Sequence, residues 1–113
     1  FMSQNDSPRL SLPYIIASQA QKEVTHNETI NLLDLLLQPV IKSRTNTPPT
    51  TPSEGDAYIV IATATGIWIG KEKQVAWYIN GGWRFIVPSE GMWFWSVADG
   101  KDYVYHNENW LVK

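Results

Sequence analysis

The stretch Tyr78-Ile79-Asn80-Gly81-Gly82-Trp83 carries the strongest fold signal in the chain. Asn and Gly tolerate the positive φ of a two-residue hairpin turn, so Asn80-Gly81 predicts a tight turn between antiparallel strands. A Tyr and a Trp that flank such a turn lie close together across the hairpin. The stretch Tyr105-His106-Asn107-Glu108-Asn109-Trp110 has the same spacing. The sequence therefore predicts two hairpins, each stabilised by a Tyr–Trp pair.

The region around these hairpins predicts a small β domain. All six tryptophans of the chain lie between Trp68 and Trp110. Turn signals recur about every ten residues after Gly55, a spacing typical of an antiparallel meander or a small barrel. The segment Ala57 to Ala62 is apolar at both parities, which indicates a central strand that is covered on both faces.

Most of the tryptophans are expected to be structural, because so small a sheet needs their burial in order to fold. We expect one or two exposed rings, with Trp83 and Trp110 at the hairpin ends as the first candidates. Strand alternation places Trp93, Trp95 and Val97 together on one face of their strand.

The N-terminal third predicts a long helix. Ser18 and Gln21 form a capping box, and the helix runs on to Gln38 because the residue before Pro39 is pushed out of the α region. Its second half is apolar on nearly every side, which a small sheet cannot cover alone. We expect identical copies to cover the remainder, although burial by the chain's own sheet and loops would explain the pattern too. The predicted interface comprises Val24, Ile30, Leu33, Leu36 and Leu37.

These patterns predict an α+β fold in which a Pro-rich linker joins the long helix to the small antiparallel β-meander or barrel, rich in Trp and Tyr. Three prolines and four threonines between Ser43 and Ser53 favour an extended linker. The predicted order is an N-terminal extended segment at 1–17, an oligomerisation helix at 18–38, a Pro/Thr linker at 39–55 and an aromatic antiparallel β domain at 56–113.

Composition excludes several classes of function. The formal charge of −2 and a pI near 5.6 leave no cationic footprint, so nucleic acid is not an expected partner. The chain has no cysteine for a disulfide framework or thiolate metal site. The apolar cluster from Leu32 to Leu37 is too short to span a bilayer, and no secretory signal is recognised. Phe1 before Met2 is typical of an expression remnant, so Met2 is the expected native start.

Catalysis is not predicted. His26 and His106 are a poor metal set without cysteine, and His26-Asn27-Glu28 lacks the paired histidines of a helical zinc site. A glycoside hydrolase needs two carboxylates at a set separation, whereas the acids of the β region stand in turns, where they are common as turn formers. We therefore expect no enzyme activity, no cofactor and no metal.

The hairpin aromatics also suggest sugar recognition, because a pyranose face can lie on an indole while amides hold its hydroxyl groups. The structural interpretation of these hairpins remains the favoured one. The candidate glycan-binding residues are Tyr78, Asn80, Trp83, Tyr105, Asn107 and Trp110.

Several runs resemble an uncharacterised domain family found in tail-fibre and head-spike proteins of bacteriophages and of bacterial gene transfer agents. The most specific is Ser18-Gln19-Ala20-Gln21-Lys22-Glu23-Val24-Thr25-His26-Asn27-Glu28. The similarity begins at Leu12-Pro13-Tyr14-Ile15 and continues through Leu32-Leu33-Asp34, Glu54-Gly55-Asp56, Gly82-Trp83, the Pro88/Glu90-Gly91 segment and Trp110.

The resemblance implies a non-enzymatic module of a virion or prophage, at the base of a fibre or spike, that connects it to a receptor-binding part. It implies a homotrimer whose partners are other virion proteins and, for a receptor-binding member, a bacterial surface polysaccharide. The expected location is the virion, or the cytoplasm of the bacterial host before assembly. No catalytic residues come with this family.

Overall fold

The computed structural model describes residues 6–14 and 22–113, with the side chains of the helix described from Asn27 onward. The chain divides into two compact units, Phe1–Gln38 and Pro39–Lys113. Helix α1 spans Lys22–Leu37 in the first unit and ends just ahead of Pro39. The predicted capping box at Ser18 and Gln21 lies outside the described residues. Among those residues, no helix has the length and apolar character needed to cross a membrane.

The second unit contains eight strands in two mixed four-stranded sheets, with orders β1-β6-β7-β8 and β2-β3-β4-β5. The predicted α+β fold with a long helix, a linker and a purely antiparallel meander or barrel is therefore wrong, and the molecule is mostly β. A 3₁₀ turn at Gly66–Trp68 lies between β3 and β4. The strands are β1 Val40–Ile41, β2 Ser43–Thr45, β3 Ala57–Val60, β4 Val75–Ile79, β5 Gly82–Ile86, β6 Trp93–Ser96, β7 Lys101–His106 and β8 Asn109–Val112.

The segment predicted as a linker contains two strands, one in each sheet. β1 pairs in parallel with β6, and β2 pairs in parallel with β3. Between them, the N–H of Lys42 donates to the carbonyl of Ala57 at 2.8 Å, and the carbonyl of Lys42 accepts from the N–H of Ala98 at 3.0 Å. Parallel pairing joins distant segments, so local composition around the prolines did not indicate it.

The strands after this segment form two copies of one plan, repeat 1 (residues 52–86) and repeat 2 (residues 88–112). Each begins with Pro-Ser-Glu-Gly, at 52–55 and at 88–91. In each, the glycine N–H donates to the carbonyl of the hairpin tyrosine, Gly55 to Tyr78 at 2.7 Å and Gly91 to Tyr105 at 2.8 Å. Each then adds a parallel-paired strand and an antiparallel hairpin, which explains why the two sheets share one topology.

The predicted central strand is confirmed as β3, which is shorter than expected and buried along its whole length. One face of its sheet carries a core of Tyr58, Val60, Ala64, Trp68 and Ala76, with Trp83 and Phe85 packed against it. Trp68 reaches this core from the long β3–β4 connection. The predicted Asn80-Gly81 turn is also confirmed, with φ of 54° and 73° at its two residues.

Candidate functional site

The C-terminal half of α1 exposes four of its five leucines and buries Leu35 together with its polar residues. Asp34 is 1% exposed and Asn31 is also buried, whereas Leu33 is 44% and Leu37 64% exposed. Since positions three and four apart share a helix side, the exposed residues form one continuous surface. We call it the leucine face: Leu32, Leu33, Leu36 and Leu37. Of the other predicted interface residues, Ile30 is half-buried, and the side chain of Val24 lies outside the description.

The polar side of α1 is held by the segment that contains Ser7. The carboxyl group of Asp34 accepts hydrogen bonds from Ser7 Oγ at 2.6 Å, from the N–H of Arg9 at 2.8 Å and from the N–H of Leu10 at 2.6 Å. The hydroxyl of Tyr14 donates to Asn31 Oδ1. These bonds satisfy buried polar groups and fix which side of the helix turns inward.

The two predicted Tyr–Trp pairs are present with matching geometry. The ring centroids of Tyr78 and Trp83 lie 5.2 Å apart, and those of Tyr105 and Trp110 also lie 5.2 Å apart. The predicted glycan-binding residues therefore fall into two sets, one in each sheet. Asn80 and Asn107 are exposed at the turns, while all four rings are half-buried.

The exposed tryptophans are Trp93 at 44% and Trp95 at 39%, so the expectation that Trp83 and Trp110 would be the exposed rings is wrong. The hairpin rings pack back on their own sheets, whereas β6 turns alternate residues outward. Trp93 pairs with Val104, which pairs with Leu111 across the next ladder. The tryptophan face comprises Trp93, Trp95, Val104 and Leu111. The corresponding residues of β3, Ala57 and Ile59, are buried.

A pocket of about 200 Å³ opens at the seam between the two repeats. We call it the seam pocket. Ile59 and Val60 form part of its wall, Trp110 of β8 lines it, and Arg44, Glu72 and Lys73 bring charged groups to it. The indole N–H of Trp110 donates to the carbonyl of Lys73 at 2.8 Å, which fixes the ring across the seam.

A polar cluster lies beside this pocket. Asp99 Oδ2 accepts hydrogen bonds from Ser96 Oγ and from the hydroxyl of Tyr103, both at 3.0 Å, and lies 3.9 Å from Arg44 Nε. The Arg44 guanidinium stands 4.3 Å from the centroid of the Tyr103 ring. Burial raises the pKa of the Tyr103 hydroxyl, and its hydrogen bond to Asp99 raises this pKa further. Arg44 thus joins β2 of one sheet to β7 of the other.

A second polar group closes the β7–β8 hairpin. The imidazole Nδ1–H of His106 donates to Glu90 Oε2 at 2.5 Å, and the N–H of Asn107 donates to Glu90 Oε1 at 3.2 Å. The hydrogen bond from His106 lowers the pKa of Glu90 most, and the hydrogen bond from Asn107 lowers it further. In repeat 1, Glu54 accepts from the N–H groups of Asn80 and Gly81 at 2.8 and 2.9 Å.

Sequence inspection missed the seam pocket, Arg44 and the turn-binding glutamates. The identical Pro-Ser-Glu-Gly segments were the signal that could have revealed the two repeats and the shared glutamate role. Arg44 lies in the segment 39–55, which was predicted as a linker. Among the side chains that the structure describes, those of residues 6–14 and 27–113, no group of three or more His, Cys, Asp or Glu could hold a metal ion.

Comparison with known families matches residues 26–111 to a family model described as a protein of unknown function, DUF2793. The chain belongs to the DUF2793 family. The DUF2793 region begins within α1 and takes in both repeats almost completely. A search of curated proteins found no match to the chain.

Proposed function

We propose that this DUF2793 chain is a non-enzymatic structural module that self-associates through the leucine face and connects a phage or prophage tail fibre or spike to its receptor-binding part. The single observation that carries the self-association is the orientation of α1, which turns Asp34 inward and four leucines outward. Within the part of the chain that the structure describes, this apolar side of α1 is left partly exposed, and such a surface favours a partner.

Other copies of the same chain are the occupant that the leucine face fits best. The only charged residue between Thr29 and Leu37 is Asp34, and it is buried. An uncharged leucine surface matches another apolar surface, and identical copies supply one with the same spacing. Covering the remaining exposed part of each leucine would contribute about 1 kcal/mol. The trimer is the proposed state, on the resemblance of the N-terminal run to fibre and spike proteins.

Light scattering after gel filtration tests the assembly. The expected mass is three times the 12.9 kDa of the chain, and Leu33→Asp with Leu36→Asp should reduce it to that of a monomer, because a charge cannot be buried unpaired in an apolar contact. Ile69→Asp is the matched control, since Ile69 is 69% exposed outside the leucine face. A monomeric wild-type protein at tens of micromolar would refute the proposal.

The placement in a virion has its own test. Mass spectrometry of purified particles from the source bacterium, after prophage induction, should detect the chain together with fibre or spike proteins. Recovery of the chain from the host lysate alone, with none in the particle fraction, would contradict this placement while leaving the self-association open to the test above.

A second candidate function is recognition of a bacterial surface polysaccharide, and the tryptophan face favours it. Trp93 and Trp95 stand on one side of β6 with their rings accessible, the arrangement on which pyranose faces stack. Calorimetric titration with capsule and lipopolysaccharide fragments should show binding that Trp93→Ala and Trp95→Ala remove and that Ile67→Ala, a change at another exposed residue, leaves intact. Absence of heat with every fragment would refute it.

A further inference from the structure

The two repeats share an aromatic framework around their hairpin tryptophans, Trp83 and Trp110. Trp83 packs against Tyr58 with centroids 6.0 Å apart and Trp110 packs against Phe94 at the same 6.0 Å. The hairpin pairs also match, at 5.2 Å each. The aromatic frameworks of the two repeats are therefore equivalent.

Repeat 1 adds one more ring to this framework. Trp68 lies 5.2 Å from Trp83 and 5.7 Å from Tyr58 and is fully buried. Trp68 lies in the long connection between β3 and β4. In repeat 2, β6 and β7 are joined by the short segment 97–100, which contains no aromatic residue. Among the described residues, Trp110 contacts two rings where Trp83 contacts three.

Trp110 instead lines the seam pocket. Its N–H is already bonded to the carbonyl of Lys73, so the indole offers a ligand its apolar surface. Ile59 and Val60 are buried in the wall, whereas Lys73 and Asn109 are exposed at the opening. The arrangement has the apolar lining and few polar groups that are typical of a small-ligand site.

The charged groups of the pocket favour a negatively charged ligand. Among the lining residues, Arg44 and Lys73 are cationic and Glu72 is acidic, and Asp99 lies outside the lining at 3.9 Å from Arg44 Nε. Glu72 Oε2 accepts the N–H of Ala64 at 3.2 Å. The Arg44 guanidinium is held in place by Asp99 and the ring of Tyr103. Two cationic side chains near one opening can both donate hydrogen bonds to a carboxylate. Such charge-assisted hydrogen bonds are stronger than hydrogen bonds between neutral groups.

We propose that the seam pocket binds a carboxylated pyranose ring, such as a hexuronate unit, with the ring against Trp110 and the carboxylate between Arg44 and Lys73. The amide of Asn109 and the carboxylate of Glu72 favour a hydroxylated ring over a plain aromatic one, because they offer partners to hydroxyl groups. This site is separate from the leucine face and from the tryptophan face.

Titration of the full chain with sodium galacturonate, followed through the indole N–H resonance of Trp110 in ¹H–¹⁵N spectra, tests the proposal. Trp110→Phe assigns that resonance. The expected result is a saturable shift at millimolar ligand, with no comparable shift from glucose or from sodium chloride at equal ionic strength. Lys73→Asn should weaken binding about tenfold by removing one charge-assisted contact, and Asn tolerates the positive φ of 72° at this position.

Two further variants make the outcome decisive. Glu72→Gln should strengthen binding because it removes the opposing charge, and Lys101→Gln, an exposed lysine outside the pocket, should leave binding unchanged. Trp93→Ala with Trp95→Ala should also leave it unchanged, which separates this site from the tryptophan face. Equal binding of glucose, a response to indole-3-acetate but not to galacturonate, or no saturable shift would each overturn the proposal.

Discussion

At the scale of single residues, buried polar groups set the orientation of the surfaces that matter. Asp34 is a charged residue in the middle of an apolar run. In the structure it accepts three hydrogen bonds and holds α1 with its leucines outward. The partners Ser7, Arg9 and Leu10 are distant in sequence, so no local pattern indicated them.

Replacing Asp34 tests this role. Asp34→Ala leaves three donors without their acceptor and should lower the free energy of unfolding of the N-terminal unit by about 3 kcal/mol. Asp34→Asn, which keeps one acceptor oxygen, should cost less. Urea unfolding followed by circular dichroism measures both, with Gln38→Ala as an exposed control expected within about 0.5 kcal/mol. Equal losses for Asp34→Ala and the control would show that the hydrogen bonds do not hold the helix.

Glu90 provides a residue-scale prediction about pH. Its hydrogen bonds to His106 and Asn107 keep the pKa below the ordinary 4.5. A depressed folded-state pKa means that the contribution to stability is present above the unfolded pKa and is lost as pH falls through the lower folded one. Carboxyl ¹³C titration should therefore give Glu90 a pKa below 4.5, and His106→Gln should raise it. A midpoint that is unchanged in the variant would contradict the role of the imidazole.

At the scale of elements, each hairpin is a turn closed by a glutamate from the start of its own repeat. Glu54 binds the amides of the Asn80-Gly81 turn, and Glu90 binds that of Asn107. The turn itself was predictable because Asn-Gly encodes its positive φ values. The glutamates were not, since a carboxylate in a Pro-Ser-Glu-Gly segment looks like an ordinary turn former.

Adjacent glycines in the first hairpin allow a matched test of the turn. Gly81 has a φ of 73°, so Gly81→Ala should lower the free energy of unfolding by about 1 kcal/mol although nothing lies within 4 Å of the added Cβ. Gly82 is a strand residue with the same open surroundings, and Gly82→Ala should be neutral or slightly stabilising. Urea midpoints compare the two, and an equal effect would exclude φ as the cause.

At the scale of the whole molecule, residues 40–45 decide how the two sheets are joined. A linker would tolerate changes in length, whereas a pair of strands with fixed register would not. Insertion of one glycine between Lys42 and Ser43 should therefore cost about 2 kcal/mol or more of unfolding free energy. The same insertion between Thr50 and Thr51, outside any strand, should cost about 0.6 kcal/mol or less. Urea unfolding of both variants measures this, and equal tolerance would restore the linker interpretation.

The sequence by itself determined the features that depend on neighbours in the chain. These include the Asn80-Gly81 turn, the two Tyr–Trp pairs, the buried β3 and the end of α1 ahead of Pro39, because φ preference, strand alternation and proline geometry act within a few residues. Only the tertiary structure decided the two mixed sheets, the exposure of Trp93 and Trp95, and the inward turn of Asp34. Each of these results from pairing or hydrogen bonding between distant segments, whose contact a local pattern does not encode.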